Sequence, residues 1–160
     1  MIPRSWIPRP SYLERFRAFA DGDLIKVFLG QRRVGKSGLL HLVEEDWRAR
    51  HPDRVVLFID KEREEWAALR SGSDLIERVH ALEARSSQRA LVLVDEVQEI
   101  AEFAPALRSL ASESRYDLYV TGSNAHLLSG EQATYFAGRA ITFDIHSLSY
   151  AEFLLSLIHI

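Results

Sequence analysis

Short, nearly continuous apolar runs recur along the chain at 24–29, 54–60, 90–94, 117–121 and 140–145. Runs of that length without polar alternation are the pattern of strands buried on both faces of a sheet. Between them the apolar residues return at helical spacing, as Leu39, Val43 and Trp47, then Leu75, Val79 and Leu82, then Phe103, Leu107 and Leu110. Each set traces one face of an amphipathic helix. An S-x-x-E box at Ser11–Glu14 predicts a helix carrying Tyr12, Leu13, Phe16 and Phe19, and a second box at Ser149–Glu152 predicts another helix at the end of the chain. Ser73 or Asp74 is expected to cap the helix that follows the charged segment 61–70, and Pro105 fits the first turn of the next. Asp21-Gly22-Asp23 and His51-Pro52-Asp53 mark turns. Strand and helix therefore alternate, which predicts an α/β fold with parallel central strands and helices on both faces.

Composition narrows this picture. With 160 residues and 47% hydrophobic content, the chain is sized for one domain around one core. A net charge of −3 supplies no overall basic field that would draw it to nucleic acid or to an anionic membrane. The absence of cysteine excludes disulfides and thiolate metal sites and fits a reducing compartment, so a cytoplasmic location is expected. Residues 1–10 hold three of the five prolines and read as an N-terminal extension. No run approaches the roughly 18 apolar residues of a membrane span, so no membrane association is expected. The six histidines show no metal-ligand spacing, and Trp47 and Tyr12 fit core contacts.

The candidate chemistry begins at Gly30. Gly30-x-x-x-x-Gly35-Lys36-Ser37 matches the phosphate-loop pattern in full and lies between a predicted strand and a predicted helix, the context that pattern requires. Gly30 and Gly35 permit backbone angles that a Cβ would block, so that amides can turn inward around phosphates at a helix N-terminus. Lys36 would contact the β- and γ-phosphates, and the Ser37 hydroxyl would ligate Mg²⁺. The expected nucleotide-binding set is Gly30, Gln31, Arg32, Arg33, Val34, Gly35, Lys36, Ser37 and Gly38; Arg32 and Arg33 touch phosphates or a partner, or are solvated. A second acidic motif follows four apolar residues, Leu91-Val92-Leu93-Val94-Asp95-Glu96, at the strand end where open α/β sheets bind ligands. Asp95 would hold Mg²⁺, while Glu96 would orient and deprotonate an attacking water.

These motifs, with "YVTGSNAHLLSG", "FAGRA" and "SLSYAEFL", resemble the AAA-type P-loop ATPases of bacteria and archaea, in the subgroup that joins the ATPase module to a C-terminal domain of unknown function. The resemblance runs from about residue 9 to 155. It implies a three-layer αβα sandwich whose parallel sheet has the order 5-1-4-3-2, with the acidic strand separated from the phosphate-loop strand by the strand ending in Thr121. It implies ATP and Mg²⁺ as ligands and offers two further site residues. Ser123 or Asn124 would sense the γ-phosphate and water, with Asn124, the chain's lone asparagine, preferred over Ser123, or Asn124 caps a helix over Ala125 to Leu128. Arg139 would act as an arginine finger in its own subunit or a neighbour's, or is a surface arginine. Gln98, two residues after Glu96, is a candidate relay to the adjoining helix. The expected Pro-Leu-Ser near the end reads instead His146-Ser147-Leu148-Ser149.

Residues 1–155 are thus read as the AAA-type ATP-binding domain. Ser156 to Ile160 resemble translated adapter read-through, which implies that the family's helical lid and C-terminal domain are absent from this chain. The reading favoured is a Mg²⁺-dependent ATPase module that couples nucleotide state to a C-terminal domain or protein partner, with an oligomer open to it. GTP is disfavoured because no N-K-x-D motif occurs, the lone asparagine being Asn124 in Asn124-Ala125-His126-Leu127. A nucleotide switch with little turnover and a small-molecule kinase are the alternatives; against the kinase, residues 61–89 show no obvious acceptor pocket, and a DNA-acting role stays open without a basic helix to support it.

Overall fold

A computed structural model describes residues 6–123, Leu127 and 131–158. Helices α1 (Pro10–Arg17), α2 (Lys36–Arg50), α3 (Gly72–His80), α4 (Phe103–Ser112), α5 (Glu131–Phe136) and α6 (Tyr150–Ile158) alternate with strands β1 (Ile25–Leu29), β2 (Val56–Asp60), β3 (Ala90–Asp95), β4 (Tyr116–Gly122) and β5 (Ala140–Asp144). The strands form one parallel sheet in the order β2-β3-β4-β1-β5, which is the expected order 5-1-4-3-2.

Strand side chains alternate between faces, and both faces are covered. Ile25, Val27, Val92, Val94, Leu118 and Val120 pack beneath Leu75 and Val79 of α3 and Phe103, Leu107 and Leu110 of α4. Phe28, Leu91, Leu93, Tyr119 and Phe143 pack on the other side against Tyr12 and Phe16 of α1 and Leu39, Val43 and Trp47 of α2. The fold is therefore a three-layer αβα sandwich. Lys26, Asp95, Asp117 and Thr121 share the α1/α2 face by the same alternation, and all four are buried. Lys26 and Asp117 form a fully buried ion pair on that face. Lys26 also donates to the Gly22 carbonyl at 3.0 Å, and Asp117 accepts from the Asp21 amide at 2.9 Å, so the turn before β1 is tied to the sheet.

Two helix starts differ from expectation. Helix α1 begins at Pro10 with Arg9 in the N-cap position, and no side chain caps it, so Ser11 falls inside the first turn. Proline supplies a preset φ at the first helical position and displaces the Ser11 box. The reciprocal box forms instead on α3, one turn from where Ser73 or Asp74 was expected to cap: Ser71 Oγ accepts from the Asp74 amide at 3.2 Å, and Asp74 accepts from the Ser71 amide at 2.8 Å. The Ser149–Glu152 box is present as expected, with both reciprocal bonds made. Among the described residues no helix is long and apolar enough to cross a membrane.

Candidate functional site

Parallel strands deliver all their C-terminal ends to one edge of the sheet, and the registers bring the chemistry there together. Leu29, immediately before the phosphate loop, pairs with Gly122 of β4 and Asp144 of β5, and Asp60 pairs with Asp95. The loop then runs into α2, whose N-cap Gly35 has φ +96° and whose first turn has neither a side-chain cap nor an acidic residue. Those amides are left without a side-chain acceptor, with the positive end of a fifteen-residue helix behind them. Arg33 also takes a positive φ, 67°. Gly30 has a different reason from Gly35: a Cβ there would meet the Ile145 carbonyl oxygen at 2.5 Å, so its small size, not a left-handed backbone, is what the fold needs.

Lys36 is only 5% exposed, and its ammonium donates to the Gly30 and Gln31 carbonyls, each at 2.9 Å. The loop is thereby curled around the cation. Asp95 is 2% exposed, and burial raises its pKa above the ordinary carboxylate range, while the Ser37 and Thr121 hydroxyls beside it pull the other way. Thr121 Oγ1 also accepts the Glu96 amide at 2.9 Å, so a single hydroxyl on β4 holds both ends of the acidic pair. Glu96 takes a left-handed backbone, φ 54°, which turns consecutive carboxylates in different directions. Asp95 goes into the sheet face toward Ser37. Glu96 lines a cleft of about 690 Å³ with Arg32, Arg33, Gly35, Lys36, Ser37 and Gly38, closed at its apolar end by Trp6, Ile7, Leu42 and Leu148.

Trp6, Ile7 and Arg9 of the N-terminal extension therefore contribute to the site. Trp6 lies over Gly38, where a Cβ would approach its ring to 3.3 Å, and stacks on His41 at 4.5 Å, which stacks in turn on Phe58 at 4.4 Å. Arg9 is 4% exposed, and its guanidinium donates to Val34 O in the phosphate loop, to His146 O and Ser147 O after β5, and to both oxygens of Glu152 on α6. Sequence reasoning missed Trp6, Arg9 and Thr121. Thr121 alone carried a signal, as the polar end of the strand beside the acidic one.

The remaining candidates divide. Arg32 and Arg33 are exposed in the cleft mouth. Gln98 donates to the Glu96 carboxylate. Ser123 follows β4 directly, and Asn124 lies outside the described residues. Arg139 does not join the site: it precedes Ala140, which pairs with Ile25, and its carbonyl accepts the Ile25 amide. Five strand residues, about 16 Å, separate that end of β1 from Gly30, more than an arginine side chain spans. A finger acting within the same subunit is not compatible with this placement. Two further clusters appear that linear spacing did not show. His80, Glu83 and Glu113 present ligand atoms within 4.8 Å of one another, with Glu83 paired to Arg115 and Glu113 to His80. Residues 61–89 do form a concavity, lined by Glu65, Trp66, Leu69, Asp74, Glu77 and Arg78, which shares no lining residue with the phosphate-loop cleft.

A phosphate loop and an acidic strand two places away, on a five-stranded parallel sheet of this order, define an AAA-type P-loop nucleotide-binding module. The family model described as "AAA domain" matches residues 23–154, and the chain belongs to that family. An uncharacterised protein of Haemophilus influenzae is 32% identical over 154 residues, 96% of this chain and 38% of its own length. One of Methanocaldococcus jannaschii is 30% identical over 131 residues, 81% of this chain and 28% of its own. The chain thus spans well under half of these relatives. Among solved structures, PCH-2 of C. elegans superposes with a TM-score of 0.61 at 15% identity, covering 87% of this chain and 42% of that one. AMPPCP-bound DnaA from Aquifex aeolicus superposes at 0.54 and 14% identity, covering 92% and 48%. At such identities the likeness is one of fold.

Proposed function

We propose that this chain is the Mg²⁺-dependent ATPase module of a longer protein, hydrolysing ATP to ADP and phosphate and passing its nucleotide state to a C-terminal domain or partner. The observation that supports this most is that Lys36, Ser37 and Glu96 line one cleft while Asp95, buried behind it, reaches Ser37 from a separate strand end. The amides at the start of α2 and the Lys36 ammonium would receive the phosphates, and the apolar end of the cleft at Trp6, Ile7 and Leu42 would receive the base. Ser37 and Asp95 form an all-oxygen pair suited to a hard divalent cation. When bound there, Mg²⁺ would neutralise charge on the phosphate oxygens. Glu96, in the cleft and clear of Asp95's pocket, would take a proton from the attacking water. Transmission outward is supported by α6, which Arg9 ties to the phosphate loop and which exposes Tyr150, Phe153, Leu154 and Leu155. Any part Arg139 plays in phosphate chemistry would be on a neighbouring subunit's nucleotide.

The test is calorimetric titration of Mg·ATP and Mg·GTP into wild type and Lys36→Ala, with phosphate release measured on wild type and Glu96→Gln. Expected are ATP binding lost in Lys36→Ala, GTP bound more weakly than ATP, and turnover lost but binding kept in Glu96→Gln. Phosphate release that requires an added acceptor would favour the kinase instead, and tight binding without turnover would favour the switch.

A further inference from the structure

We propose that Gln98 is a positioning residue for Glu96, fixing the glutamate carboxylate toward the cleft by wedging its amide between that carboxylate and the end of β4. The inference rests on the reading of Glu96 as the group that activates water.

The backbone of Glu96 is already determined. Its φ of 54° is one that a non-glycine residue adopts at a cost of order 1–3 kcal/mol and keeps only where its surroundings impose it. The bond from its amide to Thr121 Oγ1 at 2.9 Å imposes it here. The side chain has several free torsions beyond that backbone, and Gln98 restricts them. Gln98 Nε2 donates to Glu96 Oε2, leaving Oε1 as the free oxygen. Gln98 itself stands on a short 3-10 turn, Val97–Glu99, whose first residue, Val97, and following residue, Ile100, are buried in the core. The donor therefore projects from a rigid base and not from a loose loop.

The other end of the Gln98 amide explains why it cannot rotate away. Its Oε1 is shielded from solvent and has no hydrogen-bond partner among the described residues. It faces Gly122, where a Cβ would lie 2.6 Å from it. Turning the amide over would set two acceptors, Oε1 and Glu96 Oε2, against each other, so the bond to Glu96 sets which end of the amide faces the carboxylate. The carboxylate cannot swing without displacing Gln98, and Gln98 is backed by β4. General-base chemistry on a bound water depends on this kind of control, since a displacement of about 1 Å at the reacting group costs up to about a hundredfold in rate.

The experiment compares wild type, Glu96→Gln, Gln98→Glu, Gln98→Met and each Gln98 variant combined with Glu96→Gln in the full chain, reading kcat and KM for Mg·ATP hydrolysis, the Kd for Mg·ATP, and the melting temperature. Gln98→Met keeps length and volume but loses the donor. Gln98→Glu keeps shape and sets a like charge against Glu96, and it serves if the methionine variant melts early. Both are expected to lower kcat by about tenfold or more while KM and Kd stay within about threefold, and neither is expected to lower the rate further once Glu96 is glutamine, because residues acting as a unit are not additive. A wild-type kcat in Gln98→Met with Glu96→Gln inactive overturns the positioning role alone, as does a loss that appears in Kd and not in kcat. A wild-type rate in Glu96→Gln instead removes the reading of Glu96 on which the inference rests.

Discussion

Arg9 is the sharpest test of how this module is held together, because a single side chain joins three segments far apart in sequence. Arg9→Ala removes the guanidinium that bridges Val34 of the phosphate loop, the turn at His146 and Ser147, and Glu152 of α6. It also removes a cation that sits 4.4 Å from the centre of the Tyr12 ring. With side-chain exposures of 4% for Arg9 and 12% for Glu152, this pair belongs with buried ion pairs, whose breaking by removal of one partner costs about 3–5 kcal/mol. Three backbone carbonyls lose their donor at the same time, at about 1–3 kcal/mol each where water cannot replace it. The site borders an open cleft, so water will replace most of that, and about 4 kcal/mol is expected in total. For a domain of this size a kilocalorie moves the melting temperature by about 2–4 °C, so the variant should melt roughly 8–16 °C lower. Arg9→Lys keeps the charge but not the fork that meets both Glu152 oxygens, and should lose about half as much. Urea and thermal unfolding of wild type, both variants, Glu152→Ala and the double variant measure it. The double-mutant cycle should return a coupling of about 1–3 kcal/mol. A melting temperature for Arg9→Ala within two or three degrees of wild type would refute the argument that these three segments depend on Arg9.

Glu152 makes the same contact sensitive to acid. Burial works to raise its pKa, but the Arg9 hydrogen bond and the Ser149 amide outweigh it and hold the carboxyl below its ordinary value. A depressed carboxyl contributes its stability in full above the unfolded value of about 4.3 and loses it as pH falls through the folded value. The difference in urea midpoint between wild type and Glu152→Gln should therefore be flat from neutral pH to about 5 and shrink below about 4; a difference that grows in acid would contradict this. Lys26→Met leaves Asp117 buried without its partner and should cost about 3–5 kcal/mol, whereas Lys26→Met combined with Asp117→Leu should recover most of that loss; equal losses in denaturant titrations would show that the pair is not what matters. Gly30→Ala places a methyl 2.5 Å from the Ile145 carbonyl oxygen and 3.0 Å from Val34 Cγ2. A backbone carbonyl cannot swing aside as a side-chain tip can, so the loop must move, at about 1–3 kcal/mol in unfolding experiments and with Mg·ATP affinity down by about tenfold in calorimetry.

How far the sequence could be read follows from where each contact's partners lie along the chain. The five strands were legible because a strand covered on both faces cannot alternate, so its run of apolar residues stands out without knowledge of its neighbours. Their order was not legible from periodicity, which says nothing of who pairs with whom; it came from family resemblance. The phosphate loop and the acidic pair were legible for the same local reason as the strands, since their chemistry is written in consecutive residues. Arg9 and Glu152 lie 143 positions apart, and neither sits in a pattern that announces the other. Glu152 instead looked fully explained by its capping box, which it does form while also receiving Arg9. Gly30 shows a subtler limit: a glycine read for its backbone freedom is there because Ile145, over a hundred residues on, comes too close for a methyl. Arg139 shows the opposite limit, within one subunit. A local glycine-arginine match points to a nucleotide without saying whose, and in a parallel sheet position relative to strand direction rules out the chain's own. Asp95, Glu96 and Thr121 stand at or just past the C-terminal ends of their strands and meet, whereas Arg139 stands just before β5 and so is delivered to the opposite edge. For sheets of this kind, asking which end of a strand a candidate occupies separates it from the site before any distance is measured.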